Sequence, residues 1–295
     1  MKVLNKLATT KKRTGWLLVA PAVVTLFVMS IYPFIYIVVV SLHRWAIVPT
    51  IPRVFIGFQH YINLFTDSGF YQSLSVTLIY TVGVVIVEVA LGFLLAFLIS
   101  RTKTRWLRVA FLVPTVTTPV VVGLIWRFHL GFDLGAVNYF LSSLGIQKIN
   151  WLGNTGTALM SVMLVDIWQW TPFALIIFLA GLDSLPADPF EAAVVDGASG
   201  FQVLRYITLP LLLPITAVIL MFRTLDAFKT FDLIYMVTMG GPGNATEVLS
   251  YKIWHTAFFQ NRIGFAAALS VIAIIIATIM MRLFVRTLKR FNYGE

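Results

Sequence analysis

Five ionisable side chains interrupt long apolar stretches of this 295-residue chain. Glu88 and Asp166 each stand as the single charge within such a stretch, and Arg223, Asp226 and Lys229 follow one another at intervals of three residues. A charge at membrane depth is costly, so such residues mark a ligand site, an ion path or a set of mutual pairs. Counted from the ends of their stretches, Glu88, Asp166 and the Arg223–Asp226 pair are expected at similar depth near the membrane midplane, where transporters place their substrates.

Asp166 also begins a pattern of polar and aromatic residues on one helix face. Gln169 and Trp170 follow it at i+3 and i+4. Carboxylates, an amide and a guanidinium can hydrogen-bond sugar hydroxyls, and Trp170 or Trp168 can stack on the apolar face of a sugar ring. We predict a substrate site formed by Glu88, Asp166, Gln169, Trp170, Arg223 and Asp226. The alternative is an ion-pair network that holds helices together without touching a substrate.

The composition indicates an integral membrane protein. Hydrophobic residues make up 59% of the chain and charged residues 12%, and the mean hydropathy is +0.89. An average soluble domain carries about 25% charged residues. The net charge of +10 is spread too thinly along apolar stretches to indicate a nucleic-acid partner. The absence of cysteine excludes disulfides, cysteine-ligated zinc and thiol catalysis.

The apolar stretches predict an all-α, polytopic bundle of six transmembrane helices, since about 20 apolar residues cross a bilayer. The predicted spans lie at about 16–42, 73–100, 109–126, 155–182, 211–239 and 263–281. Residues 16–290 are expected to form a single transmembrane domain. A basic tail over 1–15 precedes this domain, and a short tail over 291–295 follows it.

Basic residues predict the orientation of the bundle. Fourteen lysines and arginines lie before the first span, after the last, or in the connections between spans two and three and spans four and five. Six lie in the remaining connections. Because lysine and arginine are enriched on the cytoplasmic side of a membrane, both termini are predicted to be cytoplasmic.

The connection between spans four and five, residues 183–210, departs from this charge pattern. It holds Asp183, Asp188, Glu191 and Asp196 against Arg205 alone. A net acidic segment is unfavourable beside anionic lipid. The loop therefore indicates a protein partner with a basic docking surface rather than a segment that lies on the bilayer.

Capping residues predict two short helices in this loop. Asp188 is expected as an N-cap with Glu191 three residues later, and Gly197 permits a sharp stop. Ser199 and Gln202 repeat the capping pattern for a second helix.

The loop resembles the EAA motif of binding-protein-dependent ABC importer permeases. The matching positions are Glu191-Ala192-Ala193, Gly197, Ile207 and Leu209-Pro210, at the motif's own spacing. In that family the short helix enters a cleft of the nucleotide-binding subunit and transmits its motion. The resemblance implies that the ATPase-coupling residues are Asp188, Glu191, Ala192, Ala193, Asp196, Gly197, Ile207 and Pro210.

Two further stretches resemble the carbohydrate-importing branch of that family. They are DGAS at 196–199 and TMGGP at 238–242. The resemblance covers essentially the whole chain and points to the type of the maltose importer's larger permease. This chain looks like a shorter, six-span form without that subunit's extra N-terminal spans and large external domain.

The expected energy source is a separate chain. No G-x-x-x-x-G-K-[ST] sequence occurs, so no phosphate-binding loop is recognisable, and the four histidines form no metal-binding motif. We expect no catalytic residue, metal or cofactor in this chain. The resemblance implies a second homologous permease, two ATPase subunits that use ATP and Mg, an extracytoplasmic solute-binding protein and a sugar substrate, all at the bacterial cytoplasmic (inner) membrane bilayer.

The function expected is therefore a permease subunit that forms half of the translocation pathway of an ATP-driven sugar importer. The alternative is an ion-coupled secondary transporter driven through Glu88 or Asp166, and a third class is a structural membrane scaffold. Trehalose, maltose-like glucosides, polyols and glycerol phosphate conjugates all stay open as the substrate.

Overall fold

The computed structural model describes residues 2–48, 52–100 and 110–292, which are mostly helical. The α-helices, in chain order, are α1 (Lys2–Ser41), α2 (Gln59–Thr66), α3 (Ser68–Ser100), α4 (Val113–Val116), α5 (Pro119–His129), α6 (Ala136–Ser143), α7 (Thr155–Asp183), α8 (Asp188–Val195), α9 (Gly200–Val203), α10 (Leu209–Phe228), α11 (Asp232–Val237), α12 (Leu249–Trp254) and α13 (Ile263–Asn292). Short π-helices cover Leu204–Thr208 and His255–Phe259, and a two-residue antiparallel ribbon pairs β1 (His43–Arg44) with β2 (Val54–Phe55).

Five described helical segments are long and apolar enough to cross a membrane, namely Leu18–Ser41, Ser68–Ser100, Thr155–Asp183, Gly200–Phe228 and Ile263–Arg286. They correspond to predicted spans one, two, four, five and six. The helices that carry the first and last spans extend over residues that were predicted as flanking tails, since α1 begins at Lys2 and α13 ends at Asn292.

The third predicted span, 109–126, is not one helix. Within the described part of that range, α4 and α5 are separate short helices, and the backbone of Thr117 and Thr118 between them is extended. Pro119 follows directly as the first residue of α5. A proline restricts the residue before it to extended conformations, which accounts for the break.

The fifth predicted span, 211–239, has the wrong bounds. The helix ends at Phe228 and a separate short helix begins at Asp232, whereas the N-terminal side is continuously helical from Gly200. The length needed to cross the bilayer therefore comes from the coupling loop side. Residues 200–210 of the predicted loop, including Pro210, are part of this long helical segment.

The chain divides into two compact units, and the larger comprises 67–252 and 274–295. Its apolar core lies where α3, α7 and α10 pack together, around Ala96, Ala174, Phe178 and Ile219. Gly92 allows α3 and α7 to approach closely, because a Cβ at this position would lie 2.5 Å from the Cβ of Ala174 and 3.0 Å from the backbone nitrogen of Leu175. Small residues at helix contacts are the usual packing device within membranes.

The smaller unit comprises 1–66 and 253–273. Its β-ribbon follows α1, and the backbone nitrogen of Gly264, at the start of α13, donates to the carbonyl of Trp45 over 3.2 Å. His60 of α2 is buried and donates from Nε2 to the carbonyl of His43 over 3.1 Å. The first bond joins the segment after α1 to the start of α13, and the second joins α2 to the ribbon.

Candidate functional site

A single buried arginine joins the three central helices of the larger unit. Arg223 of α10 donates from Nε to Oε2 of Glu88 at 2.6 Å and from Nη2 to Oε1 at 2.9 Å. The same Nη2 donates to Oδ2 of Asp166 on α7 at 3.0 Å. Nη1 donates to Oδ2 of Asp226, one turn along α10, at 2.8 Å. Four of the five guanidinium N–H groups are thereby bonded to carboxylates, which is the fork geometry for which arginine is suited.

Burial makes this network interdependent. The side chains of Arg223, Glu88 and Asp166 are 2%, 0% and 5% exposed, whereas that of Asp226 is 39% exposed. Ions enclosed in a medium of low dielectric are tolerated only when paired, and removing one partner leaves an uncompensated charge. The three helices are therefore held by charge pairs as well as by apolar packing.

Trp170 places an aromatic face beside this network. The guanidinium carbon of Arg223 lies 4.7 Å from the centre of the Trp170 ring, within the range of a cation–π contact. Trp170, Asp226 and Lys229 line two neighbouring cavities of about 290 and 300 Å³. Asp166 lines the first cavity and Arg223 the second. An aromatic ring with charged hydrogen-bonding groups beside it is a suitable surface for a ring-shaped, hydroxyl-bearing molecule.

The side chain of Gln169 does not join Asp166 and Trp170 at these cavities, although the sequence pattern predicts that it would. Its fully buried side chain donates from Nε2 to the carbonyl of Thr117 over 3.0 Å, and its backbone carbonyl accepts from the Thr115 hydroxyl over 2.9 Å. Gln169 lines neither of the two cavities. It holds the break between α4 and α5 against α7, a contact that helical spacing within α7 alone does not reveal.

Six of the eight predicted coupling residues lie on α8 or at the turn that follows it, whereas Ile207 lies in the first π-helix and Pro210 in α10. Glu191, Ala192 and Asp196 are exposed, and Ala193 is buried. Gly197 has φ of +69° and ends the helix, with its nitrogen bonded to the Val194 carbonyl. The nitrogen of Ala198 bonds the Ala193 carbonyl over 2.9 Å, which completes a Schellman turn.

The second helix of the loop begins as the capping pattern predicts. The backbone nitrogen of Gln202 donates to the Ser199 hydroxyl, and the backbone nitrogen of Ser199 donates to Oε1 of Gln202. The N-cap predicted for the first helix is wrong: Ala187 occupies that position, and Asp188 is the first helical residue. As an acid in the first turn, Asp188 still complements the helix dipole.

Exposed apolar side chains around this turn form an apolar patch that the motif does not mark. We define it by Val194, Val195, Phe201 and Tyr206, which are 77%, 87%, 73% and 73% exposed. A neighbouring cavity of about 440 Å³ is lined by Ala192, Ala193, Asp196, Gly197 and Ile207, among others. Apolar side chains clustered on an exposed loop mark an interaction site. The sequence signal by which they could have been found is the presence of large apolar residues, Val194-Val195 and Phe201, directly beside the motif positions.

Residues 238–242 form a tight loop held by two threonines. The hydroxyl oxygens of Thr238 and Thr246 are 2.7 Å apart, and the Thr246 hydroxyl donates to the carbonyl of Gly241 over 2.8 Å. Gly240 has φ of +78°, and a Cβ there would lie 2.6 Å from the Tyr251 ring. The glycine is thus required both by backbone conformation and by the contact with this ring.

Comparison with known proteins gives a consistent set of similarities. A family model described as "Binding-protein-dependent transport system inner membrane component" matches residues 88–291. A probable ABC transporter permease of Sinorhizobium fredii is 40% identical over 88% of this chain and 84% of its own length. The trehalose/maltose transport system permease MalF of Thermococcus litoralis is 34% identical over 92% of each chain.

A solved structure shares the fold. The crystal structure of a bacterial alginate ABC transporter, in complex with a periplasmic protein bound to an alginate pentasaccharide, contains a chain that aligns with a TM-score of 0.83. The alignment covers 96% of this chain and 98% of the other, at 22% identity. The helical architecture of this chain is therefore the fold of that transporter chain.

Proposed function

The chain belongs to the family of binding-protein-dependent transport system inner membrane components, and we propose that it forms half of the translocation pathway of an ATP-driven sugar importer. The family match confirms the resemblance seen in the EAA residues. The described part of this transport subunit holds five helices that are long and apolar enough to cross a membrane. The trehalose/maltose relative supports a carbohydrate substrate. In this proposal both termini are cytoplasmic, and ATP is hydrolysed by partner subunits.

The observation that carries this proposal is the exposed apolar patch around Gly197, which we propose to be the docking surface for the ATPase. Val195 is 87% exposed on the two-helix loop, and its neighbours Val194 and Tyr206 are almost as open. Such a surface is stable in water when another protein covers it. A secondary transporter driven by an ion gradient has no need for this surface, whereas a subunit driven by a separate ATPase does.

Reconstitution tests the docking role. The complete importer, with the second permease, the ATPase subunits and the solute-binding protein, is assembled with wild-type chain, with Val195→Asp or with Leu134→Asp. Leu134 is 97% exposed and lies between α5 and α6, away from the loop. We expect Val195→Asp to abolish ATPase retention and sugar-stimulated hydrolysis, and Leu134→Asp to retain both. Full ATPase retention by Val195→Asp, or uptake that follows an ion gradient without an ATPase, would contradict the proposal.

The proposed substrate contacts are Trp170, Asp226 and Asp166. Trp170 and Asp226 line both cavities, and Asp166 lines one of them. Glu88 and Arg223 act as positioning residues, because their bonds to one another and to Asp166 use most of their hydrogen-bonding groups. The sugar ring would stack on the free part of the Trp170 face, with its hydroxyls bonded to the two aspartates.

Two tryptophans allow a matched test of this contact. Trp170 faces the cavities, whereas Trp168 is 45% exposed and packs on Trp126 with ring centres 5.5 Å apart. Stacking of a ring on an aromatic face contributes about 1 kcal/mol. We expect Trp170→Ala to raise the transport KM about fivefold to tenfold, with Trp170→Phe intermediate and Trp168→Ala close to wild type. Assembly is measured in parallel, and reduced assembly with an unchanged KM would leave only a structural role for Trp170.

A further inference from the structure

A cavity of about 300 Å³ lies in the smaller unit, at the end of two membrane-spanning helices. Arg44 and Arg262 line it, together with Trp45, Gln59 and Asn63. The first span ends at Ser41, three residues before Arg44, and the last span begins at Ile263, directly after Arg262. The bond from the Gly264 nitrogen to the Trp45 carbonyl joins these two span ends. The cavity is therefore at the level of the lipid headgroups, where tryptophan is typically found.

The charge of this unit is one-sided. Residues 1–66 and 253–273 contain no aspartate or glutamate. In the part of the chain that the structure describes, Arg44, Arg53 and Arg262 form no ion pair. The guanidinium carbon of Arg53 lies 4.9 Å from the centre of the Trp45 ring, and that of Arg262 lies 4.5 Å from the centre of the Phe265 ring.

The buried imidazole of His60 reports the same positive field. Burial lowers the pKa of His60, and the neighbouring Arg262 and Arg44 guanidiniums lower it further, although its bond to the His43 carbonyl acts in the opposite direction. An anion held by these arginines would relieve their repulsion. The cavity wall also offers apolar surface from Ala46, Ile56 and Phe265.

We propose that this cavity binds the headgroup of an anionic phospholipid, with the phosphate held by Arg44 and Arg262. The amides of Gln59 and Asn63 bond each other, with Gln59 Nε2 donating to Asn63 Oδ1 over 2.9 Å, and their other polar atoms bond the headgroup hydroxyls. The apolar wall contacts the glycerol backbone of the lipid. A lipid is favoured over a protein because the cavity opens at the ends of the spans, where headgroups are concentrated. The phosphate chemistry is shared with free phosphate, so the test separates the two sources.

The test measures lipid binding to the purified full chain by native mass spectrometry. The folded monomer is titrated with phosphatidylglycerol or with phosphatidylcholine, and a third series adds millimolar inorganic phosphate to phosphatidylglycerol. Arg44→Gln/Arg262→Gln is compared with Arg53→Gln/Lys148→Gln, which removes the same charge outside the cavity. Each basic residue at a lipid surface contributes a factor of about five in affinity. We expect phosphatidylglycerol to bind more tightly than phosphatidylcholine, and the cavity variant to weaken its binding about 30-fold.

Four outcomes would overturn the proposal. Equal binding of the two lipids would show that the headgroup charge is not recognised. Equal weakening by the control variant would indicate general charge attraction. Displacement of the lipid by inorganic phosphate would assign the cavity to free anions. The same cavity variant is also placed in the reconstituted importer. An unchanged lipid preference, together with loss of the stimulation of ATP hydrolysis by the solute-binding protein, would assign the arginines to protein docking.

Discussion

Arg223 and Glu88 are joined by two parallel hydrogen bonds of 2.6 and 2.9 Å, although 135 residues separate them in the sequence. Each side chain is almost completely buried, and the pair connects α10 to α3. Asp166 and Asp226 accept hydrogen bonds from Nη2 and Nη1 of the same guanidinium. Because these carboxylates differ in burial, removing different ones should destabilise the chain by different amounts.

Glu88→Gln is expected to destabilise the chain far more than Asp226→Asn. Each change removes one negative charge that is bonded to Arg223, but Glu88 is 0% exposed and Asp226 is 39% exposed. Breaking a buried pair costs about 3–5 kcal/mol, whereas a solvated pair contributes about 1 kcal/mol or less. The measurement is the free energy of unfolding in detergent for both variants. Equal losses would show that Glu88 is effectively solvated.

Gly92→Ala is expected to force α3 and α7 apart. The added methyl would meet the Ala174 Cβ at 2.5 Å and the Leu175 backbone at 3.0 Å, and backbone atoms cannot move aside cheaply. Such overpacking costs about 1–3 kcal/mol. Because Glu88 lies one turn away on α3, its bonds to Arg223 should lengthen as well. Gly200→Ala is the matched control, since nothing lies within 4 Å of its Cβ position. A thermal unfolding midpoint of Gly92→Ala equal to that of the control would contradict this reading.

The sequence could predict the depth of these charges but not their partners. A lone ionisable residue within an apolar stretch must be paired or functional, and this reasoning found Glu88, Asp166, Arg223 and Asp226. Which helices meet depends on packing through Gly92 and Ala174, which no periodicity within one helix encodes. The substrate-site interpretation and the ion-pair interpretation therefore start from the same residues, and the structure supplies geometry compatible with both.

The differences between prediction and structure at Gln169 and at the fifth span have local physical causes. Gln169 shares a helix face with Asp166, yet its side chain bonds the Thr117 carbonyl, because a backbone break in the neighbouring segment leaves that carbonyl without a helical partner. The predicted fifth span extends to residue 239 because the uncharged stretch after residue 211 is too short to cross a bilayer alone. The missing length comes instead from helical residues that begin at Gly200. Helix propensity is similar on both sides of the boundary between the loop and the span, so the sequence alone does not show where the span begins.

The buried His60 predicts a pH-dependent stability of the smaller unit. Its folded-state pKa is lowered from 6.5, chiefly by burial, so the folded protein binds this proton less readily than the unfolded chain. The contribution of His60 to stability is complete above the unfolded value and is lost as the pH falls below it. We expect the thermal midpoint to fall from pH 7.5 to pH 5.5, and to fall less in His60→Gln. His129→Gln changes an exposed histidine and should keep the wild-type pH dependence. An identical pH response in the two variants would contradict the assignment.

Gly197 and Gly243 separate backbone strain from coupling. Both have positive φ, +69° and +57°, and neither has an atom within 4 Å of its Cβ position. An alanine in this conformation costs about 1–2 kcal/mol at either site. Only Gly197 lies in the loop proposed to dock the ATPase, so Gly197→Ala should lower sugar-stimulated ATP hydrolysis in the reconstituted importer, while Gly243→Ala should lower stability alone. Asparagine tolerates this conformation, and Gly197→Asn should therefore recover most of the stimulation. If Gly243→Ala uncoupled hydrolysis to the same extent, the effect would belong to overall stability, and the turn at Gly197 would have no particular part in coupling.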